Sequence, residues 1–295
     1  ADIVLNAIAG AKGLMPSVYA LKSGKRLALA NKETMVIGGR LITELAKAYS
    51  TSLIPVDSEH SAMFSLLNTI HCSGVDEYIL TASGGAFREK SYEELHTVRW
   101  QDALCHPTWN MGKKITIDSA TLANKGLEVI ECHYLFSAPI DKIKVLVHPQ
   151  SLVHSLIRTV DGCLYAQVSE PDMKLFIQNA LTYPDIKQHQ FKTLDLAGKN
   201  LTFNYVDEEK FPMLPLAYQA LRGGEGMPIV YNAANEIAVQ AFLNETITYM
   251  DISRIVASTL EAGWERDVES LDHVLEIDSR ARSLAQQYIQ DRTKE

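Results

Sequence analysis

A chain of 295 residues, 46 % hydrophobic and 22 % charged, is long enough for two domains and a smaller appendage. Its net charge of −8 without a basic block argues against nucleic-acid binding, and no apolar run approaches the roughly 20 residues of a bilayer span. Four scattered cysteines, Cys72, Cys105, Cys132 and Cys163, form no CxxC pair, which argues against a disulfide framework or a zinc site and fits a reducing, cytoplasmic setting.

The first 56 residues alternate strand-like and helix-like stretches. Strands are predicted at 3–8, 25–30 and 52–56, with helices over 13–22 and from about 34 to 48. This alternation predicts a parallel α/β sheet, whose ligands gather at the carboxyl ends of its strands. Asn31-Lys32-Glu33 and Asp57-Ser58-Glu59-His60 fall at two such ends. If the chain stays extended over 57–59, Asp57 and Glu59 point the same way and need a cation between them. Oxygen-only ligands of that kind suit magnesium or manganese. The competing reading makes Asp57 or Ser58 a helix N-cap and Glu59 a carboxylate favoured by the helix dipole. Glu128 is a candidate third carboxylate.

Residues 61–70 predict a helix with Ala62, Met63, Leu66 and Leu67 inward. A buried strand at 77–80 runs into Thr81-Ala82-Ser83-Gly84-Gly85-Ala86. A hydroxyl beside two glycines either lets backbone N–H groups approach an oxyanion or is simply a turn.

The densest chemistry lies at 106–133. Turn-formers around Trp109, Met111 and Gly112 describe either a loop that closes over a ligand or ordinary core packing. Alternation in Lys114-Ile115-Thr116-Ile117 predicts a short strand. Ser119, Thr121, Asn124 and Lys125 then supply donors where that strand turns into a helix, an arrangement suited to phosphate. Leu127, Ile130, Tyr134 and Leu135 mark the helix face. Lys125 and Glu128 stand one turn apart. The plainer alternative is a helix cap followed by a surface ion pair.

Three strands are expected within 143–168, with Asp161-Gly162 turning the last two into a hairpin. His148 and His154 are expected as hydrogen-bonded sheet histidines. A helix follows Pro171, polar sequence from about 185 reads as a linker, and helices are predicted at 214–222, 232–243, 251–261 and 278–292. These form a bundle with no evident chemistry of its own.

LANKE at 29–33, PVDSEH at 55–60, SGG at 83–85, the block at 106–131, HPQSLVHS at 148–155, EPDM at 170–173 and NAANE at 232–236 together resemble the 1-deoxy-D-xylulose 5-phosphate reductoisomerase family. The resemblance runs the length of the chain. It implies an NADPH-dependent enzyme of isoprenoid precursor synthesis. In such an enzyme a divalent metal, Mg2+ or Mn2+, chelates the sugar phosphate, the skeleton rearranges by retro-aldol cleavage and re-addition, and the aldehyde is reduced to 2-C-methyl-D-erythritol 4-phosphate. Matched by position, it implies Asp57, Glu59 and Glu128 as metal ligands and Ser83, Ser119, Asn124 and Lys125 as phosphate contacts. Lys32, Ser58 and His106 match other substrate contacts, with Lys32, Glu59 and His106 in catalytic roles. Asn31, Glu33 and Gly112 match NADPH contacts, and His106, Trp109 and Met111 a closing loop that Pro171 meets.

The expected fold class is α/β. A remnant of a Rossmann-like domain occupies 1–56, a central α/β catalytic domain 57–190, a linker 191–212 and a small α-helical domain 213–295. The family's Gly-rich diphosphate turn is missing from this sequence, so the expectation is a truncated chain that keeps its metal and phosphate sites and binds NADPH poorly. A homodimer is implied, with no nucleic-acid or membrane partner. Two rival activities are a phosphosugar isomerase or aldolase that uses metal without nicotinamide, and a non-catalytic phosphosugar-binding module.

Overall fold

The computed structural model describes residues 1–70, 74–104, 109 and 111–292. The chain opens with β1 (Ile3–Asn6), α1 (Leu14–Lys22), β2 (Arg26–Leu29), α2 (Lys32–Ala48), β3 (Leu53–Pro55), α3 (Ser58–Thr69) and β4 (Val75–Ala82). Its middle holds α4 (Trp100–Ala103), α5 (Lys113–Thr121), α6 (Ala123–Phe136), β5 (Ile143–Val147), β6 (Val153–Thr159), β7 (Leu164–Val168), α7 (Met173–Thr182) and β8 (Asn204–Tyr205). Four helices close it: α8 (Met213–Gly223), α9 (Gly226–Leu243), α10 (Tyr249–Leu260) and α11 (Leu271–Arg292). The fold is α/β, as expected.

Two compact units share these elements. The first comprises residues 1–35, 39–83 and 131–206. Its smaller sheet is wholly parallel in the order β1-β2-β3. Leu27, Ala28 and Leu29 of β2 are all fully buried, as a central parallel strand requires. The amide of Val56 donates to the Leu29 carbonyl (2.9 Å), and those of Ala30 and Asn31 to the Asn6 carbonyl. The carboxyl ends of the three strands therefore lie side by side, and so do the residues that follow them. Asn31 caps α2, its Oδ1 accepting from the Thr34 amide at 3.0 Å. Further along α2, Gly38 leaves helical geometry (φ −130°, ψ 16°), a kink at the Gly38-Gly39 pair.

The second sheet of this unit runs β7-β6-β4-β5-β8. Only β4 and β5 are parallel, and the other pairs are antiparallel. The Asp161-Gly162 turn joins β6 to β7, with Gly162 at φ 86°. β8 was not foreseen; two residues of the expected linker add an edge strand to β5. Both sheet histidines are hydrogen-bonded. His148 pairs its Nδ1 with the Thr202 carbonyl (2.8 Å) and accepts at Nε2 from the Leu152 amide, while His154 Nε2 meets the Ser169 carbonyl. Burial pushes the His148 imidazole below its ordinary pKa, against the opposing pull of the Thr202 carbonyl.

The second unit comprises residues 36–38, 84–130 and 207–295. The strand expected at 114–117 is a helix, α5. Alternating Lys and Ile imitate a strand, but Thr116, Ile117, Ala120 and Thr121 are all buried, more than one face of a pleat would allow. The Gly112 carbonyl starts the helix by accepting from both the amide and the hydroxyl of Thr116 (3.1 and 2.8 Å). Helices α8 to α11 form the expected bundle around Leu214, Ile229, Val230, Tyr231, Ile255 and Ile277, all at most 1 % exposed.

Gly226 opens α9 where a Cβ would stand 2.1 Å from the Glu265 carbonyl oxygen. Gly226→Ala is therefore expected to cost about 2 kcal/mol through forced backbone movement. The thermal midpoint should fall by roughly 5 °C in a calorimetric scan, the scale set by unfolding entropy in chains of this size.

Candidate metal and phosphate site

In the first unit the site begins where β2 and β3 end. Asp57 is the N-cap residue of α3, with φ −51° and ψ 135°, so Ser58 and Glu59 are helical and the stretch 57–59 is not extended throughout. Its side chain nevertheless makes no capping bond. The carboxylate instead faces the Lys32 ammonium at 2.6 Å, with only 10 % and 8 % of the two side chains exposed. An N-cap aspartate turned away from its own helix, toward a nearly buried lysine at the start of α2, is positioned for something besides capping.

Glu59 lies in the first turn of α3. Its Oε2 accepts from the Ser58 hydroxyl (2.5 Å), and its carbonyl accepts from the Ser155 hydroxyl on β6 (2.7 Å). Sequence reading passed over two further groups. His60 is fully buried, its Nδ1 3.3 Å from Glu131 Oε2 and 4.0 Å from Asp57 Oδ2. Donor atoms of Asp57, His60 and Glu131 all lie within 4.8 Å of one another. The i, i+3 spacings Asp57–His60 and Glu128–Glu131 were visible in the sequence and would have found both.

Asn31 and Glu33 occupy the start of α2, where the Asn31 amide donates to Glu33 Oε2 (2.7 Å) and to the Gly10 carbonyl (3.1 Å). Ser83 follows β4 and is half-buried. His106 lies outside the described residues. Trp109 and Met111 are half-buried, and Gly112 is the exposed N-cap of α5.

In the second unit, α5 and α6 are separated by Leu122 in the left-handed conformation (φ 59°, ψ 13°). The donors therefore gather where one helix turns into another, and not after a strand. Thr121, the last residue of α5, accepts at Oγ1 from the Ala123 amide that begins α6 (3.2 Å), a capping bond made from the preceding helix. Ser119 takes no part in that capping bond and is 8 % exposed. Asn124 and Lys125 occupy the first turn of α6, where the positive end of the helix dipole favours an anion. The Asn124 amide donates to Glu128 Oε1 (2.5 Å), and the Lys125 ammonium donates to Glu128 Oε2. Lys125 and Glu128 are 3 % and 1 % exposed, so the surface-pair alternative fails. Isolated, either buried charge would cost several kcal/mol, on the order expected for an unpaired ion removed from water.

Sequence profiles match in three places. The profile for 1-deoxy-D-xylulose 5-phosphate reductoisomerase covers residues 1–39, that for the C-terminal domain of 1-deoxy-D-xylulose 5-phosphate reductoisomerase covers 53–136, and that for the DXP reductoisomerase C-terminal domain covers 168–284. The chain is 50 % identical over 289 residues to the 1-deoxy-D-xylulose 5-phosphate reductoisomerase of Pelodictyon phaeoclathratiforme, covering 98 % of itself and 76 % of the relative. It is 51 % identical over 285 residues to the Prosthecochloris aestuarii enzyme, covering 96 % and 75 %. Among solved structures it resembles DOX-P reductoisomerase in complex with NADPH, fosmidomycin and magnesium (TM-score 0.90, 40 % identity, 98 % and 76 % covered). It also resembles the Zymomonas mobilis enzyme in complex with NADPH (TM-score 0.91, 42 % identity, 98 % and 75 % covered).

Proposed function

Because this chain belongs to the 1-deoxy-D-xylulose 5-phosphate reductoisomerase family, we propose that it converts 1-deoxy-D-xylulose 5-phosphate to 2-C-methyl-D-erythritol 4-phosphate, with NADPH as reductant and a divalent metal as Lewis acid. The observation that carries this reading is the orientation of Asp57, an N-cap carboxylate committed to Lys32 and not to its own helix.

Asp57, Glu59 and Glu128 are the proposed metal ligands. The donor set fits a hard cation, because all three offer carboxylate oxygens. Lys32 beside Asp57 and Lys125 beside Glu128 place positive charge against two of those carboxylates. When bound, the metal would polarise the substrate's ketone and hydroxyl oxygens. Ser83, Ser119, Asn124 and Lys125 are proposed to hold the phosphate, with the positive end of the α6 dipole favouring its charge. Lys32, Ser58 and His106 are proposed to orient the sugar, with Lys32, Glu59 and His106 placing or moving protons on its oxygens.

For the cofactor, Asn31 and Glu33 stand just beyond the carboxyl end of β2, where a parallel sheet meets its ligand. Gly10, after β1, has φ 75° and so leaves its backbone open to close approach. Together with Gly112 these positions fit NADPH. The reading extends to a homodimer in the cytosol in which manganese can replace magnesium; among the described residues, no helix is long and apolar enough to cross a membrane.

The test is NADPH consumption by the purified protein. Oxidation should require both the sugar phosphate and Mg2+, stop with EDTA, and return with added Mg2+ or Mn2+. Sugar rearrangement at an equal rate without NADPH would replace this reading with an isomerase.

A further inference from the structure

The C-terminal helices reach the residues on either side of Ser119. Asp118 is 1 % exposed, an interior carboxylate on α5. One oxygen, Oδ2, faces the Lys114 ammonium at 2.8 Å, one turn earlier on the same helix. The other, Oδ1, accepts from the Asn235 amide on α9, also at 2.8 Å. Asn235 is itself fully buried, in the apolar middle of α9. On the other side of Ser119, the Ala120 carbonyl accepts from the Tyr249 hydroxyl, at the start of α10, at 2.8 Å. Burial holds that phenol protonated, well above its ordinary pKa. The Tyr249 ring is fixed edge-on against Phe87 and Phe242, with centroids 5.2 and 6.1 Å away.

A third contact closes the set. Gly85, at φ 70°, lies so near that a Cβ there would stand 2.4 Å from the Ser119 carbonyl oxygen. The 118–120 turn is thus held at the Asp118 carboxylate by a side chain from α9 and at the Ala120 carbonyl by a side chain from α10, with the glycine turn packed close against Ser119. Two bonds from sequence positions more than 110 residues away, both buried, are a costly way to fix one turn of helix. Ser119 is the residue in that turn with a hydroxyl for the phosphate.

We propose that Asn235 and Tyr249 are positioning residues: through Asp118 and Ala120 they set the Ser119 hydroxyl where it meets the substrate's phosphate. The proposal rests on the assignment of Ser119 to that phosphate. It gives the C-terminal bundle a part in substrate affinity that its sequence does not announce.

The experiment uses Tyr249→Phe, Asn235→Leu and Ser119→Ala in the full chain. Tyr249→Phe removes one oxygen and keeps the ring contacts, so it remains informative if Asn235→Leu fails to fold. Inorganic phosphate is the probe, read by calorimetric titration and by its inhibition of turnover. The Kd for phosphate should rise about tenfold in Ser119→Ala and about fivefold in Tyr249→Phe, the scale of a lost hydrogen bond to a charged group. In Tyr249→Phe, KM for the sugar phosphate should rise in parallel, with kcat within about twofold and KM for NADPH unchanged. Wild-type phosphate affinity in Tyr249→Phe, beside a weakened Ser119→Ala, overturns the positioning role alone. Wild-type affinity in Ser119→Ala removes the phosphate assignment and the positioning role together. A Tyr249→Phe protein that loses NADPH and phosphate affinity equally shows general loosening and also overturns the proposal.

Discussion

Glu128→Gln is expected to lower kcat by roughly 10³-fold, the order lost when transition-state charge stabilisation is removed. Glutamine keeps the shape of a side chain that is 1 % exposed and can still accept from the Asn124 amide. What it cannot supply is the negative charge that a divalent cation needs. The loss should therefore appear in metal binding as well as in turnover. In the wild type, Mg2+ should raise the thermal midpoint by linkage, and in Glu128→Gln that rise should vanish while the circular dichroism spectrum stays the same. A variant that keeps its Mg2+-dependent shift and loses less than tenfold in kcat would show that Glu128 is no ligand.

Lys32→Met should give the second large effect, and its sign depends on the metal. Without a cation, Asp57 loses the ammonium 2.6 Å away and is left as a nearly buried charge. Breaking such a pair from one side costs about 3 kcal/mol. With Mg2+ bound, the cation itself supplies the missing positive charge. The stability cost should then shrink, so Mg2+ should raise the midpoint more in Lys32→Met than in the wild type. Turnover should nevertheless fall by about 10²-fold, the usual contribution of one positioned acid–base group. Denaturant titrations with EDTA and with Mg2+ separate the two effects. An identical stability loss in both conditions would show that Asp57 does not receive the metal.

The parallel β1-β2-β3 sheet was legible because buried strands write themselves as short apolar runs bounded by turn residues. The histidines of β6 and of the turn after β5 were legible for a similar reason: no ligand spacing competed with simple sheet bonding. At 114–117 the pattern misled, because two isoleucines separated by threonine satisfy period two as well as a short buried helix does. What decided it was burial around more than one face, which appears only once α5 is packed. β8 was invisible since two exposed residues, Asn204 and Tyr205, carry no periodicity. At the site, the Lys125–Glu128 spacing was legible, but its burial was not. Asn235 lies within NAANE at 232–236 but was given no role there, and Tyr249 was passed over, although two asparagines among the apolar residues 229–235 of α9 hinted at an interior amide in need of a partner.

Helix α6 runs unbroken from Ala123 to Phe136, and Asn124, Lys125 and Glu128 are fixed to it as teeth to a gear. Each residue added or deleted between Lys125 and Glu128 would rotate everything on one side of the change by about 100° relative to the other. Single substitutions there alter one group at a time, whereas a one-residue indel would swing the carboxylate a quarter-turn or more away from its ammonium. Across the family, this segment is expected to vary in spelling and never in length.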